Sequence, residues 1–302
     1  MFKTLLRPSA WFRGVRKSLQ YAALAGPQAC SARWNRRPGV TIARRTPELI
    51  VSLTSIPERM ATLHLCLDSL LCQSVKPDRI ILWLSECRES GRPVLAPGNL
   101  PGPVTRLLAR GLDIRWCPDI GCYRKIIPAR RAYPHAILVT ADDDVFYPRD
   151  WLAQLYAAYQ QDPRHVYCHR AHRIRFDELG RPLPYQQWDF EAPGFAGPSL
   201  DLFPTGVGGV LYAPEHLHAD LLREEVFRRL CPTADDIWLN AMRRLNHVQV
   251  KKVAEHSLSG NKIHIKNNRS LATHNVAGKQ NDAQLASVNE AYACFVAQGR
   301  IV

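Results

Sequence analysis

The chain contains 302 residues, of which 46% are hydrophobic and 22% charged, values typical of a soluble globular protein. This length corresponds to one large or two small domains, and this composition excludes wholesale disorder, collagen and coiled coil. No run of about 18 apolar residues occurs, which excludes a membrane-spanning helix. The nine cysteines include no C-x-x-C pair, so we expect free thiols in a reducing, cytoplasmic compartment.

The formal net charge of +13 is concentrated near the N-terminus. Residues 1–47 contain ten basic and no acidic residues, whereas the remainder has 30 basic and 27 acidic residues. The apolar residues of 11–23 recur at helical spacing, opposite arginine and lysine. We therefore expect residues 1–45 to be an amphipathic segment on an anionic membrane surface, a disordered basic tail or a transit peptide. Nucleic acid is not an expected partner, because no RNP, zinc-finger or helix-turn-helix pattern occurs.

From Glu48 onward, short apolar runs alternate with amphipathic segments. The runs predict strands at 49–54, 79–84, 113–117 and 136–140. The amphipathic segments predict helices at 63–71, 104–110, 125–133, 151–159, 233–245 and 282–296, with loops at 91–103 and 180–209. Ser55 and Glu58 fit a capping box, and Thr233 fits an N-cap. The alternation predicts an α/β fold with a mostly parallel central sheet and helices on both faces.

The sharpest local signal is the triplet Asp142, Asp143 and Asp144, directly after the predicted strand 136–140. Adjacent carboxylates repel each other unless a cation lies nearby, and ligands of parallel sheets bind at this edge. Alternate residues of a strand point the same way, so Asp142 and Asp144 are expected to face one hard divalent cation. A solvated acidic turn before Pro148 would also explain the triplet.

A second acidic pair, Asp235 and Asp236, opens the predicted helix 233–245. Acidic residues in a first turn complement the helix dipole, and that alone would explain the pair. Alternatively, one of the two is a general base that takes a proton from an acceptor hydroxyl.

Several weaker candidates have an ordinary alternative. Lys125 can neutralise a diphosphate or be a surface lysine. The three glycines of 203–212 allow a backbone to approach a ligand, or simply a tight turn. Tyr185 and Trp188 can stack on a sugar or pack in the core. His274 can complete a metal shell as an imidazole ligand.

Several segments occur in a characteristic order. They are VSLTSIPER, LDSLLCQSVKPDRIILWLS, YRKIIPARRAYPHAILVTADDDVFYP, PYQQW, TGVGGVLY and CPTADDIWLNAM. Together they resemble the GT-A fold of nucleotide-diphospho-sugar transferases, and more narrowly the glycosyltransferase family 2-type enzymes of bacterial surface-polysaccharide clusters. The resemblance covers residues 48–295. It implies a domain at 48–302, with a nucleotide-sugar half (48–150) and an acceptor half (151–302).

The resemblance implies a role for each motif. Residues 54–59 match the region that holds the nucleotide, and the triplet matches the D-x-D motif that holds Mn²⁺ or Mg²⁺ on the donor diphosphate. The pair matches the acids that supply the catalytic base, Asp236 or Asp235. With the candidates above, the donor-side set is Thr54, Ser55, Arg59, Lys125, Asp142 and Asp143. The expected metal ligands are Asp144, Asp142 and His274, and the acceptor side contains Tyr185, Trp188, Gly208, Gly209 and Trp238.

Two features depart from this pattern. The residues Leu84-Ser85-Glu86 stand where many members carry an aspartate for the nucleotide base. The triplet also permits two registers of the D-x-D motif, one pairing Asp143 with Asp144 and one pairing Asp142 with Asp144. Asp144 is an expected ligand in both registers.

The sequence therefore predicts a metal-dependent, cytoplasmic glycosyltransferase, which would lie on the inner face of the membrane if residues 1–45 form the amphipathic segment. It would move a sugar from a nucleotide-diphosphate donor to a glycan or lipid-linked saccharide by direct displacement with inversion. Two alternatives stay open at this point. One is a non-catalytic protein that binds a polyanion or partner on a degenerate transferase fold, and the other is an enzyme of two-metal phosphoryl transfer.

Overall fold

The computed structural model describes residues 37–87, 94–253, 263 and 280–297. Its central feature is a seven-stranded sheet with the strand order β3-β2-β1-β4-β8-β5-β9, beside a small two-stranded sheet of β6 and β7. The strands are β1 (Leu49–Thr54), β2 (Arg79–Leu84), β3 (Leu112–Trp116), β4 (Ile137–Ala141), β5 (Val166–Cys168), β6 (Ala171–Arg173), β7 (Leu202–Pro204), β8 (Val210–Tyr212) and β9 (Val250–Lys252).

The four predicted strands are confirmed to within one residue at each end. Strands β1, β2 and β4 are nearly continuous apolar runs because both faces of a parallel sheet are buried, whereas the terminal strand β3 contains Asp113 and Arg115 and is mostly half-buried. In β1, for example, Val51 lies between Ile80 of β2 and Val139 of β4, and all three are fully buried. These three strands and β3 are parallel to one another. They place the nucleotide-sugar half predicted at 48–150 in the same sheet as β5, β8 and β9 from the second half.

Helices cover both faces of this sheet. They are α1 (Met60–Leu71), α2 (Gly102–Thr105), α3 (Ile127–Ala132), α4 (Trp151–Gln161), α5 (Glu224–Leu230), α6 (Asp235–Leu245) and α7 (Gln280–Tyr292). One face, which includes Ile50 and Leu138, packs against residues of α3, α5, α6 and α7 in one core cluster. Neighbouring residues of a strand point to opposite faces of the sheet. The side chains of β1 and β4 on the other face, such as Val51 and Val139, are also buried. The predicted α/β class is therefore confirmed, and the architecture is consistent with a GT-A fold.

The folded domain begins before the first strand, with residues 38–47. Gly39 lies so close to Leu71 of α1 that a Cβ at this position would overlap its side chain. Arg45 forms an ion pair of 3.0 Å with the buried Asp78, whose carboxylate also accepts the N–H of Leu49. Residues 38–47 thus pack against the sheet, although the composition groups them with the basic N-terminal segment.

Two predicted helix caps are wrong, and the reason is the same in both cases. Residues Pro57–Arg59 form a 3₁₀ turn without a side-chain cap, because the Ser55 hydroxyl donates to Asp143 instead. Thr233 pairs with Gln284 of α7 through two hydrogen bonds of 2.9 Å, so Ala234 becomes the N-cap of α6. A distant partner has displaced the local bond in each case.

The direction of β8 brings two distant segments together. It runs antiparallel to β4 and pairs Val210 with Thr140 near the carboxyl end of that strand. The residues that precede β8 therefore reach the same edge as the residues that follow β4. This carboxyl edge also receives the segments after β1, β2, β3 and β5, as expected for ligand sites in α/β sheets. None of the helices in the described ranges is long and apolar enough to cross a membrane.

Candidate active site

The acidic triplet lies at the carboxyl edge and alternates in exposure. The side chain of Asp143 is 6% exposed, whereas those of Asp142 and Asp144 are 22% and 16% exposed. Asp143 accepts hydrogen bonds from Ser55 and Arg59, and burial raises the pKa of its carboxyl group. The guanidinium of Arg59 also lies 3.5 Å from Asp144. Two residues of the predicted nucleotide-binding region thus contact the triplet itself.

A buried ammonium group joins the triplet to the second acidic pair. The Nζ atom of Lys125 is 2.9 Å from Asp142 Oδ1 and 3.0 Å from Asp235 Oδ2, and its side chain is 8% exposed. The two carboxylates outweigh the effect of burial and raise the pKa of Lys125 well above its usual value. Lys125 is therefore a charged link between the residues after β4 and the first turn of α6.

Asp236 differs from Asp235 in both contacts and exposure. Its two carboxylate oxygens accept the N–H of Gly206 at 3.1 and 3.2 Å, and it is partly accessible to solvent. Burial, followed by repulsion from the Asp235 carboxylate, raises the pKa of Asp236 to about 7. A carboxylate with this pKa can accept a proton near neutral pH, which is the property required of a general base.

Gly206 makes this arrangement possible, and sequence reasoning did not single it out. A Cβ at this position would lie 2.7 Å from Lys125 Nζ and 3.3 Å from an oxygen of both Asp142 and Asp236. Any larger residue would require the Lys125 ammonium to shift away from this position. The glycine-rich run was recognised in the sequence, but its first glycine, rather than the later ones, contacts the acidic cluster.

Gly208 and Gly209, which were expected on the acceptor side, pack against other groups. A Cβ on Gly208 would lie 2.9 Å from Arg170, and a Cβ on Gly209 would overlap the Trp151 ring. Gly209 also has a φ of +83°, a conformation that glycine adopts without strain. The Trp151 indole donates to Gly208 O at 2.8 Å. Because neither glycine has a side chain, the backbone at the start of β8 can approach Arg170 and Trp151, the first residue of α4.

The geometry of the triplet bears on the two D-x-D registers. Asp143 is buried and bonded to Ser55 and Arg59, whereas Asp142 and Asp144 reach the surface of the cleft. Within the described ranges, no three His, Cys, Asp or Glu side chains are grouped so that they could bind a metal ion. Mg²⁺ is commonly held by one or two carboxylates together with substrate phosphates, and two exposed carboxylates fit that requirement. His274, the third expected ligand, lies outside the described residues.

The phenol of Tyr147 is a further part of the site that the sequence did not reveal. The N–H of Asp142 donates to Tyr147 Oη at 2.8 Å, and the fully buried Tyr147 packs against Trp151. The thiol of Cys66 donates to Asp142 O. The backbone of Asp142 is therefore held from both sides. The tyrosine follows the triplet within a recognised motif, but nothing in its spacing indicates this contact.

The remaining donor-side candidates lie along the same edge. The Thr54 hydroxyl donates to Trp83 O at 2.8 Å and so ties β1 to β2. After β2, where an aspartate was not found, the Ser85 hydroxyl accepts a hydrogen bond from the buried Arg124. Arg124 also donates to Gly121 O at 3.0 Å. A guanidinium thus stands beside the position where the sequence resemblance led us to expect an aspartate.

The aromatic candidates are buried to different extents and lie in different places. Tyr185 belongs to a cluster with Trp188 and Phe203, and it is 8% exposed. Burial and the carboxylate of Asp236 both raise the pKa of the Tyr185 phenol, so this residue lies near the acid pair. Trp188 is 4% exposed, and its indole donates to Leu183 O. Trp238 is fully buried in the core, where it donates to Leu221 O.

Comparisons with known proteins identify no family for this chain. No family model matches the chain, and no curated protein matches it. Among solved structures, S. aureus TarS (residues 1–349) is similar, with 12% identity and a TM-score of 0.46. The match covers 70% of this chain and 59% of the TarS chain, less than two thirds of its length. Because identity and score are this low, the functional argument rests on the geometry of the site.

Proposed function

We propose that this protein is a glycosyltransferase that moves a sugar from a nucleoside diphosphate to a hydroxyl group of a saccharide acceptor. The observation that carries the proposal is Asp236, a cleft carboxylate whose pKa is raised to about 7 and which lies next to a second, separate acidic cluster. One acidic group for proton transfer and another for the donor phosphates are the two elements that this reaction requires.

In this proposal Asp236 takes the proton of the acceptor hydroxyl while the oxygen attacks the anomeric carbon of the donor. Asp235 is held in its ion pair with Lys125, which leaves Asp236 as the acid that faces the acceptor. The Gly206 N–H orients the Asp236 carboxylate. One displacement at the anomeric carbon inverts its configuration.

The donor diphosphate would lie against the exposed acids of the triplet. Asp142 and Asp144 would hold Mg²⁺ or Mn²⁺, which when bound offsets the negative charge that builds up on the departing nucleotide. Arg59 and Lys125 fix the positions of these two acids from opposite sides. Arg124, at the end of β2, is a candidate for contact with the nucleotide in place of the absent aspartate.

A lipid-linked saccharide is the acceptor that best accounts for the basic N-terminal segment. Ten basic residues without an acidic one would hold residues 1–45 on the anionic inner face of a membrane. Sedimentation with anionic vesicles tests this part separately. The full chain should sediment and a chain without residues 1–37, which keeps the ion pair of Arg45 with Asp78, should not, so retention of the truncated chain would place the membrane contact elsewhere.

A thermal-shift panel tests the function itself. The full chain is heated with nucleoside diphosphate sugars of uridine, guanosine and thymidine, each with Mn²⁺ or with a chelator. A rise in melting temperature for one donor that disappears with chelator is the expected result, since a ligand stabilises only the folded state. No shift with any donor, together with steeply salt-dependent polyanion binding, would favour the non-catalytic alternative. Release of inorganic phosphate or cleavage of nucleic acid would favour phosphoryl transfer.

The pH profile tests the role of Asp236 once a donor is known. Since only the ionised carboxylate accepts a proton, kcat/KM should rise about tenfold per pH unit and level off above about pH 7. A profile that stays flat from pH 5 to pH 8 (both values about two units or less from this pKa) would contradict this assignment.

A further inference from the structure

A turn beside the acid pair is built in a conformation that its residues do not favour. Glu191 and Ala192 have φ angles of +60° and +40°, although neither is a glycine. Left-handed backbone at two successive non-glycine residues is uncommon, and strained residues of this kind concentrate at functional sites. The segment follows a β-bridge between Arg173 and Asp189, and the Ala192 N–H donates to Asp189 O at 3.2 Å, so these angles lie in a hydrogen-bonded turn without a glycine.

Buried polar groups hold this turn in place. The Lys252 ammonium donates to Glu191 O at 2.6 Å and to Ala192 O at 2.9 Å. The N–H of Glu191 donates to His172 Nδ1 at 2.9 Å. Burial lowers the pKa of His172 to about 3, so the ring is neutral and its nitrogen is available as an acceptor. The surrounding structure therefore determines the conformation of the turn.

The turn presents two different side chains next to each other. The Phe190 ring is 42% exposed and packs with its centroid 4.5 Å from His172 and 5.6 Å from Tyr185. The Glu191 side chain is 41% exposed and accepts a hydrogen bond from Arg170 Nε at 3.1 Å. An exposed aromatic ring beside a carboxylate and a guanidinium is suited to the apolar face and the hydroxyls of a sugar.

Arg170 connects this surface to the proposed base. Its second nitrogen donates to Thr205 Oγ1 at 2.8 Å, and Thr205 directly precedes Gly206, whose N–H binds Asp236. The Tyr185 ring packs against Phe190 of the turn, with centroids 5.6 Å apart, and the Asp236 carboxylate contributes, after burial, to the raised pKa of its phenol. A sugar on the turn would therefore lie near the carboxylate that takes its proton.

We infer that Phe190, Glu191 and Arg170 form the acceptor subsite of this enzyme, and that the subsite binds a neutral hexopyranose. The inference rests on the proposed function. The charge of Arg170 is already matched by Glu191, so the pair offers both hydrogen-bond donors and acceptors without a net charge. Sugar hydroxyls satisfy both, whereas a phosphate or uronate would meet the Glu191 carboxylate.

The test uses methyl glycosides of glucose, galactose, N-acetylglucosamine and glucuronic acid as probes. Their binding to the full chain is measured by saturation-transfer NMR, and the donor thermal shift is measured in parallel. At least one neutral glycoside should bind, and Phe190→Ala should weaken the binding of that glycoside tenfold or more. The control Leu179→Ala, at another exposed apolar residue, should not. The rise in melting temperature that the donor produces should be the same in the wild type and in both variants.

A second variant separates binding from folding. Glycine tolerates a φ of +60°, so Glu191→Gly should keep or raise the melting temperature while it weakens glycoside binding tenfold or more. Glu178→Gly, at an exposed residue in an adjacent loop, should leave binding unchanged. A lower melting temperature with unchanged binding would make the turn a structural feature only.

Other outcomes are equally decisive. Binding of the glucuronide alone would overturn the neutral acceptor, and binding of no glycoside by a chain that still shows a donor shift would overturn the subsite. Absence of any donor shift would instead count against the proposed function, so the two failures are distinguishable.

Discussion

The two acidic clusters differ in what balances their charge. In the triplet, Arg59 binds Asp143 and also faces Asp144, while Lys125 binds Asp142. In the pair, Lys125 binds Asp235, whereas the Asp236 carboxylate accepts hydrogen bonds from the neutral N–H of Gly206. Among the residues that the structure describes, no cation lies within ion-pairing distance of Asp236. The first cluster is thus surrounded by positive charge and the second contains one acid that is not.

Under the proposed function, this difference separates two chemical tasks. Carboxylates surrounded by protein cations are held in fixed positions, which suits the binding of a donor with its own counter-ion. A carboxylate that is partly desolvated and repelled by a neighbour has a raised pKa, which suits proton transfer. Adjacent aspartates with different surroundings are a common way of assigning such roles.

The largest effect is expected from removing the proton acceptor. Asp236→Asn keeps the shape of the side chain but not its basicity, so kcat should fall about 10²–10⁴-fold while donor binding is retained. Glu225→Gln, at an exposed residue of α5, is the matched control. A kcat within about twofold of the wild type would remove Asp236 from the reaction.

The same variant should change how stability depends on pH. The folded pKa of about 7 lies above the ordinary value of 3.8, so the wild type loses stability as pH rises through this window. Asp236→Asn does not titrate, and its stability relative to the wild type should increase over the same range. Urea unfolding at pH 5 and pH 8 measures this, and a constant difference would contradict the raised pKa of about 7.

The link between the clusters is the next target. Lys125→Met leaves the Asp142 and Asp235 carboxylates without their shared cation, and loss of one buried partner costs about 3–5 kcal/mol. The free energy of unfolding in urea should fall by that amount, whereas Lys251→Met, at an exposed lysine, should change it little. Equal free energies of unfolding for the two variants would show that the Lys125 ammonium does not stabilise the Asp142 and Asp235 carboxylates.

Within the triplet, we expect Asp143 to affect the stability of the fold and Asp144 to affect metal binding. Asp143→Asn weakens charged hydrogen bonds from Ser55 and Arg59 and should destabilise the fold by about 1.5–3 kcal/mol. Asp144→Asn should instead abolish the thermal shift that Mn²⁺ produces with the donor and leave the unfolding midpoint nearly unchanged. The opposite result would favour the register in which Asp143 is a ligand.

The smallest effect tests the space between the clusters. Gly206→Ala places a methyl group 2.7 Å from Lys125 Nζ, and overpacking of this kind costs about 1–3 kcal/mol. Gly102→Ala has open space around its Cβ and is the control. Both melting temperature and kcat should fall for Gly206→Ala alone, and equal behaviour of the two variants would mean that the cluster adjusts freely.

The sequence predicted the first half of the sheet well and the second half poorly. Strands β1 to β4 are five or six residues long, and β1, β2 and β4 are mostly apolar, which makes them recognisable. By contrast β5, β8 and β9 are three residues each, and their pairing depends on contacts between distant segments. The antiparallel direction of β8, which brings Gly206 to the acids, has no signal in the local pattern.

The candidate site shows the same limit. The acidic residues were recognisable because their types and positions after a strand are unusual, but their partners were not. Lys125 appeared to be a group for a diphosphate, and its two carboxylate contacts come from separate parts of the chain. Ser55 was expected to cap a helix, but its hydroxyl donates to the Asp143 carboxylate instead. Such competition depends on tertiary distance, which periodicity does not encode.

Because the segments that carry the chemistry meet at one edge of the sheet, the opposite edge is available for attachment. Pro134 and His135 lie before β4 at that far edge, and Arg164 lies there before β5; all three are exposed. A biotin attached at one of these positions, by a coupling that does not use thiols because the chain contains nine cysteines, would immobilise the chain with the acidic clusters turned away from the support. Surface-based measurements of saccharide capture would then sample the open cleft.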